Sequence, residues 1–199
     1  MKKASLFLVI LLLAAVGPVQ AQRNYLQVFA IGLPFQSGAG IGNIGFEHIN
    51  KNENGAWQAN FHAGGGTIAT DVGTPLRIWV SGDRLFSLNK KAPWINATVF
   101  SVFLEAGTRS RKGMMADLEN GKLLRKEKAF ELCPGIGIGQ HIKLGKRSHL
   151  QLLAGPKLIV GFNADEYRET ATGNLYINRS HSLKGGYRIL INLCFPLGK

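Results

Sequence analysis

Beyond residue 21 this chain has no long segment with apolar residues at the i, i+3, i+4, i+7 spacing of an amphipathic helix. Apolar residues recur instead at every second position, with Gly, Asn and Pro as punctuation. In 56–64, Trp57, Ala59, Phe61 and Ala63 oppose Gln58, Asn60 and His62. In 130–143, Phe130, Leu132, Ile136, Ile138 and Ile142 oppose Glu131, Cys133, His141 and three glycines. Segments 149–163 and 187–195 repeat the pattern, and 24–33, 40–49, 76–88 and 94–106 read as four further strands. Within 76–88 the register falters at Gly82-Asp83-Arg84, which reads as a bulge, because otherwise Arg84 lands on an apolar face.

The N-terminus sets the compartment. Lys2 and Lys3 precede an unbroken apolar run of 11 residues, 6–16, then Gly17-Pro18 and the small-x-small site Val19-Gln20-Ala21. This predicts a secretory signal peptide over 1–21, cut before Gln22 and leaving a single domain over 22–199. The run is too short to span about 30 Å of hydrocarbon as a helix. No later run reaches the length of a transmembrane helix, so a membrane-spanning chain of this composition has to cross as strands.

Eight strands is an even number, and their connections fall into two sets. Residues 50–55, 89–93 and 145–148 are short, whereas 109–128 and 164–182 are long. Short turns on one side and long loops on the other suit an outer-membrane barrel, with both termini on the periplasmic side. The connection 34–39 is short where this scheme expects an outer loop. Asn120-Gly121 favours a tight hairpin turn, and Thr172-Gly173-Asn174 interrupts the other long connection, so both are expected to continue as paired hairpins. Pro134 and Pro156 fall inside strands, where each deletes a ladder donor; a strand end or a bulge would accommodate them.

The second face mixes glycine with Gln, Asn, Glu, Lys and Arg. Such a face packs a soluble core poorly but suits the narrow lumen of an eight-stranded barrel, filled by neighbouring side chains. Pattern alone leaves open which face points outward. The signal segment, the alternating strands and the closing stretch Tyr187-Arg-Ile-Leu-Ile-Asn-Leu-Cys-Phe195 resemble the small eight-stranded outer-membrane β-barrel proteins of Gram-negative bacteria. In the commonest form of that family an aromatic is the last residue; here Pro196-Leu-Gly-Lys199 follows. The resemblance implies an all-β, antiparallel up-and-down transmembrane barrel in the outer membrane. It carries no catalytic motif and implies no cofactor.

Candidate sites follow from the mixed face. Glu47, Glu105, Glu131, Lys157 and Arg188 all lie on it and are expected to form a polar lumen cluster, since charges removed from water need partners. Segment 109–128 carries seven Lys or Arg against three acids. Its Arg109, Arg111, Lys112, Lys122, Arg125 and Lys126 are candidates for contact with lipopolysaccharide phosphates. Gly40-Ile-Gly-Asn-Ile-Gly45 matches G-x-G-x-x-G, but no helix period follows it, so it reads as glycine-rich strand. His181 and Ser182 are adjacent in a strand and point to opposite faces, which separates them as a catalytic pair. His62 and His141 remain without an assignable serine partner.

These readings converge on a monomeric, non-catalytic outer-membrane barrel with a structural or surface-interaction role through hairpins 109–128 and 164–182. No metal, cofactor or nucleic acid is expected. Two alternatives stay open: a lipid A-modifying enzyme, and a soluble exported barrel that binds an apolar ligand. In the predicted topology Cys133 lies toward the outer end of strand six and Cys194 near the inner end of strand eight, too far apart for the roughly 7 Å that a disulfide tolerates. Ellman titration of the unfolded, unreduced chain is expected to return two free thiols; finding none overturns this topology.

Overall fold

The computed structural model of the protein describes residues 23–33, 39–65, 76–89, 91–117, 121–169 and 172–197. The predicted signal peptide, the cleavage site and connection 34–38 lie outside the described residues. Eight strands follow in chain order: β1 (Arg23–Leu33), β2 (Ala39–Ile49), β3 (Gly55–Gly65), β4 (Leu76–Ser87), β5 (Thr98–Asp117), β6 (Gly121–Lys143), β7 (His149–Glu169) and β8 (Leu175–Leu197). Each pairs antiparallel with the next, and β8 returns to β1, giving a closed barrel.

The closing seam is short. β1 and β8 pair over five positions, from Asn24↔Leu197 to Val28↔Leu193. β5 to β8 rise well beyond that seam: pairing runs out to Asp117↔Gly121 in one hairpin and Arg168↔Leu175 in the other. Both long connections are thus paired sheet over most of their length, as the turn residues predicted. Gly173 sits in the second turn at φ +76°, a left-handed conformation that a side chain disfavours.

Alternation puts the mixed face inside and the apolar face outside. Gln27, Glu47, Gln58, Asp83, Gln151, Arg188 and Asn192 are buried, whereas Ile44, Phe61, Ile136, Ile138 and Ile189 are exposed. The soluble-barrel alternative required the reverse.

Three sequence expectations are corrected. First, Gly82-Asp83-Arg84 is no bulge. Residues Leu76 to Ser87 hold one unbroken register with β5, so Asp83 points inward and Arg84 outward. The Arg84 guanidinium lies over the Trp57 ring (4.7 Å) and close to Phe86 (5.4 Å), which gives the charge an aromatic seat. Second, Pro134 and Pro156 lie mid-strand without a bulge. Pairing skips them on the β6–β7 seam alone, and the register on either side is unchanged. Third, Trp94–Asn96 is a 3-10 turn and not the start of a strand. The connection between β4 and β5 folds it into the barrel mouth, where Trp94, Ile95 and Ala97 are buried.

The inward glycines make room for large neighbours. A Cβ on Gly135 would meet the Phe103 ring, and one on Gly107 would meet the Cβ of Trp79. Gly135→Val is therefore expected to overpack the lumen at a cost of about 1–3 kcal/mol. Urea unfolding should show a lowered midpoint, and an unchanged midpoint would contradict this packing.

Candidate functional site

The lumen is filled in tiers. Its middle tier is ionic. Arg188 is buried and donates to both oxygens of Asp83 through Nη1 and Nη2, the second at 3.1 Å. Its Nε lies 3.0 Å from Glu105 Oε1, and Lys157 Nζ donates to Glu105 Oε2 at 2.7 Å. Two cations and two carboxylates make the tier neutral. The Arg188 guanidinium also stacks over the Phe103 ring at 4.3 Å, and Ser101 donates to Asp83 at 3.3 Å. The strand faces that supply these groups are far apart in sequence, on β4, β5, β7 and β8.

Of the five residues expected to cluster, Glu105, Lys157 and Arg188 meet here. Glu131 lies higher, 3.6 Å from Arg109 Nε. Glu47 lies lower, toward the short-turn end, with different partners. Asp83 is the member that sequence reasoning missed, because the supposed bulge hid its phase; counting alternately through Ser81 and Leu85 would have placed it inside.

Beneath the ionic tier lies a girdle of amides. Asn43 donates to Asn192 (2.6 Å), Asn192 to Gln151 (3.0 Å) and Gln151 to Gln58 (3.0 Å). The lowest tier seals the short-turn end. Trp94 Nε1 donates to Glu47 Oε1 at 2.8 Å, and His141 Nδ1 donates to the Trp94 carbonyl at 2.8 Å. Tyr25, His149 and Cys194 complete this floor, all fully buried. Nothing in the alternation singles out His141, His149 or Trp94; Pro93 before the 3-10 turn is the one local signal.

Above the ionic tier a cavity of about 60 Å³ opens, lined by residues that include Arg77, Trp79, Glu131, Cys133 and Lys157. It has room for a few waters. At its rim Arg109 donates to Glu127 at 2.7 Å. Among the six residues named as phosphate contacts, Arg109 is thus committed to Glu127 and Glu131, and Lys126 lies 3.9 Å from Glu166. The side chains of Arg111, Lys112, Lys122 and Arg125 lie outside the described residues. Cys133 and Cys194 are both free, buried thiols.

Serine and histidine do meet in the lumen, but in the wrong order for nucleophilic catalysis. His62 Nε2 lies 3.1 Å from Ser81 Oγ, and the carboxylate of Asp83 touches Ser81 instead of the imidazole. A triad needs the imidazole between serine and acid. His181 and Ser182 diverge as expected: His181 packs edge-on against Phe162 outside, whereas Ser182 accepts from Asn163 at 3.3 Å. The Gly40–Gly45 motif lies within β2.

Comparison with protein-family models, with curated proteins and with solved structures finds no match to this chain.

Removing one partner from the ionic tier leaves uncompensated buried charge. Arg188→Met is expected to cost about 3–5 kcal/mol. Adding Asp83→Asn alone to that variant leaves the Lys157–Glu105 pair balanced and should restore most of the loss, as read from urea unfolding midpoints. A double variant no more stable than the single one would mean that Arg188 acts by packing alone.

Proposed function

We propose that this chain is a small outer-membrane β-barrel of the Gram-negative cell envelope, monomeric and non-catalytic, with a structural or surface-interaction role through its two long hairpins. One observation carries this reading: the barrel is polar inside and apolar outside. Exposed apolar side chains encircle a lumen of buried amides and ion pairs. In water that distribution is unfavourable by the hydrophobic effect alone, whereas a lipid surround reverses the sign.

The dimensions agree. On β7 the outward positions from Leu150 to Phe162 are apolar throughout. At roughly 3.4 Å per residue and a tilt of about 40°, they cover about 30 Å along the axis, close to the apolar band of roughly 25 Å on such barrels. Arg84 lies only three residues from the short-turn end of β4. There its stem could cross the edge of the band while its head reaches the interface.

The hairpins favour an interaction role. Residues 175–192 of β8 pair with β7 but, among the described residues, not with β1. This leaves an edge carrying exposed Leu175, Ile177, Leu183 and Tyr187. Arg109 apart, the basic residues of 109–128 suit contact with lipopolysaccharide phosphates at that height.

The test is partitioning. Expressed with its N-terminal segment in a Gram-negative host, the protein is expected in outer membranes after a carbonate wash. It should migrate faster on a gel unboiled than boiled. Release into the soluble periplasm would overturn the reading.

A further inference from the structure

At the sealed end of the lumen three potential metal donors converge. Glu47 Oε, a ring nitrogen of His149 and Cys194 Sγ all lie within 4.8 Å of one another. All three side chains are fully buried. We propose that these residues bind one divalent transition-metal ion of the zinc type, and that the ion clasps the closing seam of the barrel.

A second observation points to a ligand here. Neither ring nitrogen of His149 has a hydrogen-bond partner, and neither does Glu47 Oε2. His149 Nε2 lies 3.4 Å from that oxygen, but outside hydrogen-bonding geometry. Buried polar groups are almost always paired, and an ion is one explanation for a set whose members face only one another. The spacing fits as well. With bonds of about 2.0–2.3 Å, tetrahedral donors stand roughly 3.4 Å apart. The His149–Glu47 pair is already at that separation, and Cys194, within 4.8 Å of both, needs to approach by no more than about 1.4 Å.

The surroundings are those of an outer shell. Trp94 Nε1 holds the other Glu47 oxygen at 2.8 Å. Gln27 Nε2 lies 3.7 Å from Cys194 Sγ, where it would support a thiolate. His141 donates from Nδ1 to a carbonyl and accepts Gln151 at Nε2, so its lone pair is spoken for and it walls the site. Binding displaces the Cys194 proton to water. A dication with one carboxylate, one thiolate and one neutral imidazole is electrically neutral, which a water-poor lumen floor requires. A thiolate–imidazole–carboxylate set selects zinc over the oxygen-loving magnesium or calcium.

The placement gives the ion a role. Glu47 is on β2, whereas His149 and Cys194 are on β7 and β8. β1 lies between the two groups, and its seam with β8 holds only five pairs, one of them Gln27↔Cys194. An ion held from both sides would fasten the ring where it is weakest.

The mature protein, unfolded with a chelator and refolded in detergent, should take up one zinc per chain by mass spectrometry of the elements. Cys194→Ser and His149→Ala should each lower retention at least about tenfold, whereas Cys133→Ser should keep it. Where a variant does not refold, cobalt added to the wild type decides: a thiolate-to-cobalt charge-transfer band supports the site. Wild-type protein that retains no zinc and shows no such band overturns the proposal, as do folded variants that retain as much zinc as the wild type. Membrane partitioning is read separately, so failure here leaves the barrel reading standing.

Discussion

Arg188 is the side chain on which the rest of the lumen depends. A guanidinium buried at mid-height must be neutralised from several directions, and Asp83 and Glu105 do this from β4 and β5. Lys157 then balances the second carboxylate. The tier so formed links four strands across the interior. Such a network contributes little net stability compared with apolar packing, since each charge has lost its hydration. It makes register costly to change, however. A one-residue slip in β4 or β8 would carry Asp83 or Arg188 to the outer face and strand the partners inside.

The glycines and the ionic tier belong to the same arrangement. Arg188 stacks on Phe103, and Phe103 occupies the space that a side chain at Gly135 would fill. A ring on one strand therefore demands a bare backbone on its neighbour. This explains why the mixed face alternates glycine with long polar residues. The same economy of space leaves, among the described residues, a cavity of about 60 Å³ above the ionic tier and no width for an open channel at the filled tiers below it.

Much of this was legible from alternation. The strand count, the facing of β3, β6, β7 and β8, and the sheet-like hairpins all follow from period-two patterning and turn residues. Three of the charged lumen residues were legible as well, because a charge on the inward phase has few other places to go. What escaped had physical reasons. Asp83 escaped because Arg84 beside it looked impossible on an apolar face, and nothing in a linear pattern shows that Trp57 and Phe86 receive it. Trp94 escaped because a 3-10 turn tucked into a barrel mouth has no period of its own. Glu47 was assigned to the right face but the wrong tier, since height along the axis depends on strand stagger, and the pattern of one strand carries no information about stagger between strands.

The two ends of the barrel are built for different purposes. At the short-turn end Trp94 fills the mouth, its indole and carbonyl both engaged by buried side chains. At the other end, among the described residues, β5 to β8 run on beyond β1 to β4, and β8 passes its last partner on β1 with apolar residues exposed along its length. An edge of that kind pairs readily with another strand unless charge or curvature blunts it, and Lys184 is the charged residue among the exposed positions nearest the middle of this stretch. Closure is therefore concentrated near the termini, while the surface able to engage something else is displaced by the length of the hairpins. A molecule divided in this way can change its hairpin sequences without disturbing the tiers that hold its ring shut.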